Sequence, residues 1–167
     1  MYWSYIEEVR KMLKAVIINN LISIAIYVCM CIVLILPIGN TWFYGMWRDN
    51  MKSNEIVYNW AMIGVFTIVS LFLFFWLGRK FLNDTGNTLL SISSVIMVPI
   101  LVSIASFVAF SNLDSRLGIA GFLGTPIYPV SETMSYFLRM DLKYAYMAMS
   151  ILPPLTMWIG MIGKRLV

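Results

Sequence analysis

The sequence predicts an all-α integral membrane protein, an antiparallel bundle of four transmembrane helices with its N-terminus and C-terminus both cytoplasmic. Three observations lead to this prediction: an apolar composition, four uncharged apolar runs, and basic residues placed beside the ends of those runs. Of the 167 residues, 60% are hydrophobic and 12% are charged, and the mean hydropathy is +0.82. A soluble domain has about 25% charged residues, and a soluble core of this size cannot hide so much apolar surface. Lipid is therefore the expected solvent.

The first predicted element is an amphipathic helix over residues 1–14, followed by a first span over residues 15–36. Apolar and aromatic side chains recur at helical spacing in the first segment, with charged residues between them. Such a helix either lies along the inner membrane interface or runs straight into the span. The basic front of the segment is also typical of a signal peptide, but the apolar run is too long and no small-residue cleavage site follows it. We therefore expect an uncleaved first span.

The other three spans are predicted at residues 57–77, 89–110 and 144–163. Each run is long enough, at about 1.5 Å per residue, to cross a hydrocarbon core of about 30 Å. Lipid offers the backbone no hydrogen-bond partner, so a helix is the expected form of each run. The whole chain, residues 1–167, is treated as a single membrane domain.

Two loops are predicted on the outer side of the membrane. Residues 37–56 form a short loop rich in aromatic residues, as are belts at the headgroup level. Residues 111–143 form a longer, partly helical loop, in which three glycines at three-residue spacing imitate a nucleotide-binding fingerprint. No strand–helix–strand pattern surrounds them, and a partly membrane-dipping apolar loop fits better. After two prolines that are expected to end any earlier helix, Ser131 is a good N-cap, and a helix is predicted from Glu132 into the fourth span.

The distribution of charges orients the chain. Residues 1–14, 78–88 and 164–167 together carry seven basic and three acidic residues, whereas residues 37–56 and 111–143 carry five of each. Lys and Arg favour the cytoplasmic side of a membrane, so the first group of segments is predicted to be cytoplasmic. The spans and short tails suit a bacterial plasma membrane, and we expect a multi-pass cell-membrane protein.

Basic residues occur in twos and threes beside apolar runs and form no stripe that follows a phosphate ladder. Nucleic acid is therefore excluded as a partner. The expected partners are the lipid bilayer and either another membrane protein or a second copy of this chain.

Consecutive prolines, Pro153 and Pro154, lie at the middle of the fourth predicted span. Each lacks an amide donor, so we expect a kink that frees the carbonyls of Met149 and Ser150. One interpretation is a broken helix that lines a substrate or ion path, or a hinge. The other is a static kink packed against neighbouring spans, in which the Ser150 hydroxyl or a water bonds the freed groups.

Six polar side chains inside the spans are candidates for helix packing or partner contacts. Buried amides and hydroxyls in a membrane bond across helices, each with about 0.5 to 2 kcal/mol of association free energy. Such contacts hold either a partner subunit or the helices of the chain itself. The six residues are Asn19 and Asn20 in the first span and Ser91, Ser94, Ser103 and Ser106 in the third.

No set of residues in the sequence indicates a catalytic, cofactor or metal site. The chain has no His, and Cys29 and Cys31 lie about 200° apart around a helix, where they can neither bridge nor chelate together. Asp114, Glu132 and Asp141 can in principle form an acid pair at the outer surface, but solvated ion pairing is the expected state. We expect no enzyme activity and no cofactor.

Three functions remain open on this basis. The first is a non-catalytic small multi-pass protein, an accessory or immunity-type subunit that acts through helix and outer-loop contacts with a partner. The alternative is a small oligomeric transporter or channel that uses the broken helix at Pro153 and Pro154. A membrane-embedded enzyme is a distant third.

Overall fold

A computed structural model describes residues 2–39, 56–111 and 123–166, and these residues form helices and turns but no strand. Four stretches are long and apolar enough to cross a membrane: Ile6–Leu34, Ile63–Phe81, Thr88–Val108 and Leu142–Arg165. The prediction of an all-helical membrane protein with four candidate spans is therefore confirmed. Most of the first outer loop, residues 40–55, lies outside the described residues.

The described helices differ from the predicted spans mainly where a span is interrupted. In chain order they are α1 (Tyr2–Gly39), α2 (Ile56–Phe81), α3 (Thr88–Ser93), α4 (Met97–Ser111), a 3₁₀-helix (Thr125–Ile127), α5 (Tyr128–Leu138), α6 (Leu142–Met149), α7 (Leu152–Ile162) and a last 3₁₀-helix (Gly163–Leu166). The 38 residues of α1 form one helix, about 57 Å long at 1.5 Å per residue. The N-terminal segment is therefore continuous with the first span.

The third span is not the single helix predicted for residues 89–110. A turn over residues 94–96 separates α3 from α4. Part of the reason is Pro99, which has no N–H for the carbonyl of Val95. The Val95 N–H itself donates to the Ile92 carbonyl, three residues earlier, at 3.1 Å; this is the spacing of a 3₁₀ turn and not of an α-helix.

The fourth span, predicted as one helix over residues 144–163, is also interrupted. It breaks at Ser150 and Ile151, and α7 then begins at Leu152. Pro153 and Pro154 therefore lie in the first turn of α7, where backbone amides have no acceptor within the helix. The two prolines begin a helix here, which explains why a membrane-spanning segment tolerates both.

The helix of the second outer loop begins and ends earlier than predicted. It starts at Tyr128, because Pro129 is compatible with a first helical turn. Ser131 is therefore no N-cap, and its buried hydroxyl has no hydrogen-bond partner among the described residues. The helix ends at Leu138 because Arg139 adopts a left-handed conformation, with φ of 50°. The predicted continuous helix from Glu132 into the fourth span is therefore wrong.

The chain between the third and fourth spans returns into the bundle. Gly124, Thr125, Pro126 and Ile127 are buried, and the 3₁₀-helix contacts α1, α2 and α7. The Tyr27 hydroxyl of α1 donates to the Leu123 carbonyl at 2.6 Å. Residues 123–127 thus pack between candidate spans, and protein surrounds them. We call residues 123–127 the re-entrant element.

Helices α2 and α7 form the most extensive contact of the bundle. Gly78 of α2 lies against the backbone of Met157, and Gly160 of α7 lies against the backbone of Phe75. A Cβ atom at either glycine would overlap those backbone atoms. The absence of a side chain at both positions lets the two backbones touch, as small residues do between membrane helices.

The polarity of the bundle suits a lipid environment. Its buried residues include polar side chains such as Asn19, Ser23, Ser91 and Ser106, whereas many large apolar side chains of α1, α2 and α4 are exposed. Aromatic and basic residues lie at the ends of the spans: the Lys80 ammonium is 4.9 Å from the centre of the Trp76 ring, and that of Lys143 is 4.8 Å from the centre of the Tyr144 ring. Such pairs are typical of membrane interfaces.

Candidate functional site

Asn19 binds the connection between α2 and α3 with both ends of its side-chain amide. Its Oδ1 accepts from the backbone N–H of Asn83 at 3.0 Å, and its Nδ2 donates to the Asn83 carbonyl at 2.6 Å. The Asn19 side chain is fully buried and also lies 3.7 Å from the Met161 sulfur of α7. The Asn19 amide thus joins α1 both to the connection between α2 and α3 and to the end of α7.

Asn20, the next residue, binds the break in the third span. Its Nδ2 donates to the Ser93 carbonyl at 2.8 Å and to the Val16 carbonyl of its own helix at 3.1 Å. Its Oδ1 accepts from the backbone N–H of Met97 at 3.1 Å. Both asparagines therefore bond backbone groups of this same chain, which is the in-chain packing alternative of the two considered from sequence.

The connection between α2 and α3 also holds the end of the chain. The Arg165 guanidinium pairs with both carboxylate oxygens of Asp84, and the Ser91 hydroxyl donates to Asp84 at 3.1 Å. Arg165, first, together with the Gly86 amide and Ser91, lowers the pKa of the Asp84 carboxyl to about 2. Lys164 donates to the Leu82 carbonyl at 2.6 Å. Asp84 is therefore a fixed anion that ties the C-terminal segment to this loop.

Two of the predicted serines meet at a groove between the broken third and fourth spans. Ser103 of α4 and Ser150 at the break of the fourth span lie 3.3 Å apart. The Ser150 hydroxyl donates to the Met147 carbonyl at 2.7 Å, so Ser103 is the donor of the pair because a hydroxyl has one proton. The groove has a volume of about 350 Å³ and is lined by Pro99, Ile100, Ser103, Ile104, Met147, Ser150 and Ile151.

The groove is mainly apolar and lies between α4 and the junction of α6 and α7. Ile104 and Ile151 at its edge are more than half exposed. Pro153 and Pro154 are buried in α7 and are not lining residues of the groove.

The remaining predicted serines have different surroundings. Ser94 and Ser106 are buried and donate to the carbonyls of Leu90 and Val102 in the preceding turns of their own helices. Ser91 belongs with Asp84 and Arg165 to the cluster at the connection between α2 and α3, which we call the Asp84 cluster. The three serines and the groove pair thus do not converge on one site.

The three carboxylates considered from sequence are not brought together within the described residues. Asp141 caps α6, where it accepts from the Lys143 amide at 3.1 Å, and its carboxylate lies 3.7 Å from the Lys143 ammonium. Asp114 and the side chain of Glu132 lie outside the described part of the chain, as do two of the three spaced glycines.

A cluster of exposed apolar side chains lies at the C-terminal end of α5. Tyr136, Phe137 and Leu138, the last three residues of α5, have 79%, 62% and 60% of their surfaces exposed. The rings of Tyr136 and Phe137 pack edge to face, with centroids 5.8 Å apart. Arg139 follows directly. We call these three residues, which belong to the loop predicted on the outer side, the outer patch.

Comparisons with protein-family models, with curated proteins and with solved structures find no match to this chain.

Several contacts of the folded chain are not evident from sequence patterns. The Asp84–Arg165 pair has one signal, a carboxylate in a short connection between two spans with basic residues at the span ends. Tyr27 and Gly160 resemble ordinary span residues in sequence, and the outer patch has no sequence motif. No single-residue pattern could have matched Tyr27 to Leu123.

Proposed function

We propose that this chain is a non-catalytic membrane protein that acts as an accessory or immunity-type subunit, through contact of its outer side with a partner membrane protein. The observation that carries the proposal is the outer patch. Contiguous exposed aromatic residues next to a cation are typical of protein interaction surfaces. The helix that bears them begins at the buried re-entrant element and packs on α6 and α2, so the patch is presented on a supported scaffold.

The proposal includes an orientation. The four spans form an antiparallel bundle in a bacterial plasma membrane, with both termini in the cytoplasm and the outer patch on the opposite side. Support comes from contacts that join the middle of α1, the connection after α2, helix α3, the end of α7 and the 3₁₀-helix after it, through Asn19, Asn20 and Arg165. Arg79, Lys80, Lys164 and Arg165, which are predicted to be cytoplasmic, lie in or beside these segments.

The proposal is tested by purification from native membranes in mild detergent, with mass identification of proteins that travel with the chain. We expect a partner that is lost when Tyr136 and Phe137 are both changed to Ala. Loss of an aromatic anchor lowers affinity by about tenfold or more. The matched control is Phe72→Ala, which removes a similarly exposed aromatic side chain from the apolar face of α2. A folded wild-type chain with no partner, or a partner retained by the double variant, would argue against the proposal.

A small oligomeric transporter or channel is the second candidate, and the two broken spans favour it. Interrupted helices that face each other across a groove are a feature of transporters, and Ser103 and Ser150 place hydroxyls there. The combined change Pro153→Ala with Pro154→Ala supplies two amide donors and favours an unbroken fourth span. Solute flux in liposomes that needs the wild-type prolines would support this function, and flux that the double variant leaves unchanged would remove its support.

A further inference from the structure

The break in the third span contains a side chain in the place of a backbone hydrogen bond. In an uninterrupted α-helix the N–H of Met97 donates to the carbonyl of Ser93, four residues earlier. Here the Met97 N–H donates to Asn20 Oδ1 at 3.1 Å, and the Ser93 carbonyl accepts from Asn20 Nδ2 at 2.8 Å. The Asn20 amide thus supplies an acceptor and a donor to the two groups of one missing helix bond.

Pro99 explains a different missing bond. A proline at this position removes the donor for the carbonyl of Val95, but it leaves both the Met97 amide and the Ser93 carbonyl intact. Side chains inserted into the hydrogen-bond ladder are a separate cause of helix kinks. The contributions of Asn20 and Pro99 to the turn over residues 94–96 can therefore be separated by mutation.

We propose that Asn20 is a wedge that holds the third span in its bent form: when its side chain withdraws or is removed, the Ser93–Met97 backbone bond closes and the span takes a second, straighter form. Withdrawal leaves the Asn20 amide partly satisfied, because its Nδ2 also donates to the Val16 carbonyl at 3.1 Å. Closing the bend therefore replaces two cross-helix hydrogen bonds by one backbone hydrogen bond, so the two forms differ by one hydrogen bond.

The bend positions one wall of the groove. Helix α4 begins at Met97, directly after the wedge, and carries Pro99, Ile100, Ser103 and Ile104 against the junction of α6 and α7. Closing the bend turns α4 relative to α3, which the Asp84 cluster fixes through Ser91. The second form therefore separates Ser103 from Ser150 and changes the groove, so that Asn20 acts on it from another helix.

The test uses the full chain in detergent micelles with two independent measurements. The first is the ¹³C chemical shift of the Cα atoms of residues 93–97, which reports whether the turn has become helical. The second is disulfide formation between Ser103→Cys and Ser150→Cys in a chain that also carries Cys29→Ala and Cys31→Ala. We expect Asn20→Leu to move the shifts toward helical values and to lower the cross-linking rate by about fivefold, as loss of a hydrogen bond predicts.

Pro99→Ala is the decisive second variant, because it restores an amide donor and favours a helix without touching Asn20. We expect it to keep both the turn and the cross-link, whereas Asn20→Leu with Pro99→Ala loses them. The control Ser23→Ala removes a hydroxyl that bonds only within α1, to the Asn20 carbonyl at 2.9 Å, and should change neither reading.

Two results would overturn the proposal. One is a helical third span in Pro99→Ala with Asn20 intact, which would make the proline the sole cause of the bend. The other is a folded Asn20→Leu chain that keeps its turn and its cross-link. If Asn20→Leu does not fold, the Pro99→Ala result decides: a retained turn supports the wedge, and a lost turn contradicts it.

Discussion

Asn19 and Asn20 show how adjacent side chains can serve two different backbone gaps. An amide side chain has a donor and an acceptor, as a peptide group does. Neighbouring residues point about 100° apart around a helix, so Asn19 reaches the connection after α2 and Asn20 reaches the third span. In lipid, where water cannot bond freed backbone groups, such substitution lets a chain deviate from regular helix. Asn19 and Asn20 therefore join segments of this chain by bonding their backbone groups.

Asn19→Ala is expected to lower the free energy of unfolding by about 1 to 3 kcal/mol, because it leaves the N–H and carbonyl of Asn83 without their partner. The change is measured by unfolding in mixed detergent micelles with increasing SDS, followed by tryptophan fluorescence. Ser93→Ala is the control, since its hydroxyl bonds only the Leu89 carbonyl of its own helix. Equal effects of the two changes would contradict the role given to Asn19.

The Asp84–Arg165 pair is expected to make stability depend on pH in the acid range. Folding lowers the pKa of Asp84 from 3.8 to about 2, so the pair stabilises the folded chain above pH 3.8, and this stabilisation is lost as the pH falls through about 2. The difference in the free energy of unfolding between wild type and Asp84→Asn should therefore be largest near neutral pH and disappear in strong acid. Arg165→Gln should follow the same course. A difference independent of pH would contradict the assignment.

At the scale of elements, interruptions are tolerated where a neighbour supplies what the helix loses. The fourth span breaks just before Pro153 and Pro154, whose missing amides fall in the first turn of α7. The re-entrant element is bonded through Tyr27 and packed against Tyr146 at Gly124. Helices α2 and α7, by contrast, are held by direct contact of their backbones at Gly78 and Gly160. Close packing thus fixes one pair of helices, while polar side chains fix the broken ones.

Gly160→Ala is expected to destabilise the chain by about 1 to 3 kcal/mol, the usual cost of overpacking a close contact, because its Cβ would overlap the Phe75 backbone. Gly64→Ala is the matched control in another helix. Nothing lies within 4 Å of the Cβ position there, so higher helix propensity should stabilise the chain by up to about 1 kcal/mol. Both are measured by the same SDS titration. A neutral Gly160→Ala would show that α2 and α7 can separate at little cost.

At the scale of the whole molecule, the charges and the contacts give one consistent arrangement. The connection between α2 and α3 lies with the C-terminal segment, which binds it through Lys164 and Arg165. The outer patch follows the re-entrant element and precedes the fourth span. The proposed bundle therefore has a polar, internally bonded cytoplasmic end and an exposed aromatic feature at the other.

The orientation predicts which positions an impermeant thiol reagent reaches in intact cells. In a chain with both native cysteines changed to Ala, Tyr136→Cys should be labelled from outside. Thr88→Cys, exposed at the start of α3, should be labelled only after the membrane is opened, because positive-inside bias places this connection in the cytoplasm. Labelling of Thr88→Cys in intact cells would invert the proposed topology.

The amino-acid sequence is enough to predict that the chain is helical, that it has four candidate membrane spans, and roughly where each lies. These properties depend on local composition, since about 20 consecutive uncharged apolar residues suffice to cross a bilayer whatever surrounds them. The sequence also marked Asn19, Asn20, Ser103, Ser150 and the paired prolines as unusual. It could not state what any of them contacts.

Where the candidate spans break, and which groups bond the backbone at each break, depends on the contacts of the folded chain. The Asn20 amide in the third span, the Tyr27 bond to Leu123 and the Asp84–Arg165 pair each join residues more than 70 positions apart. A helix interruption in lipid is stable when a neighbour bonds the freed backbone groups, and that neighbour comes from another part of the chain. Which residue becomes this neighbour depends on how the chain packs in three dimensions, and a local sequence pattern does not encode that packing.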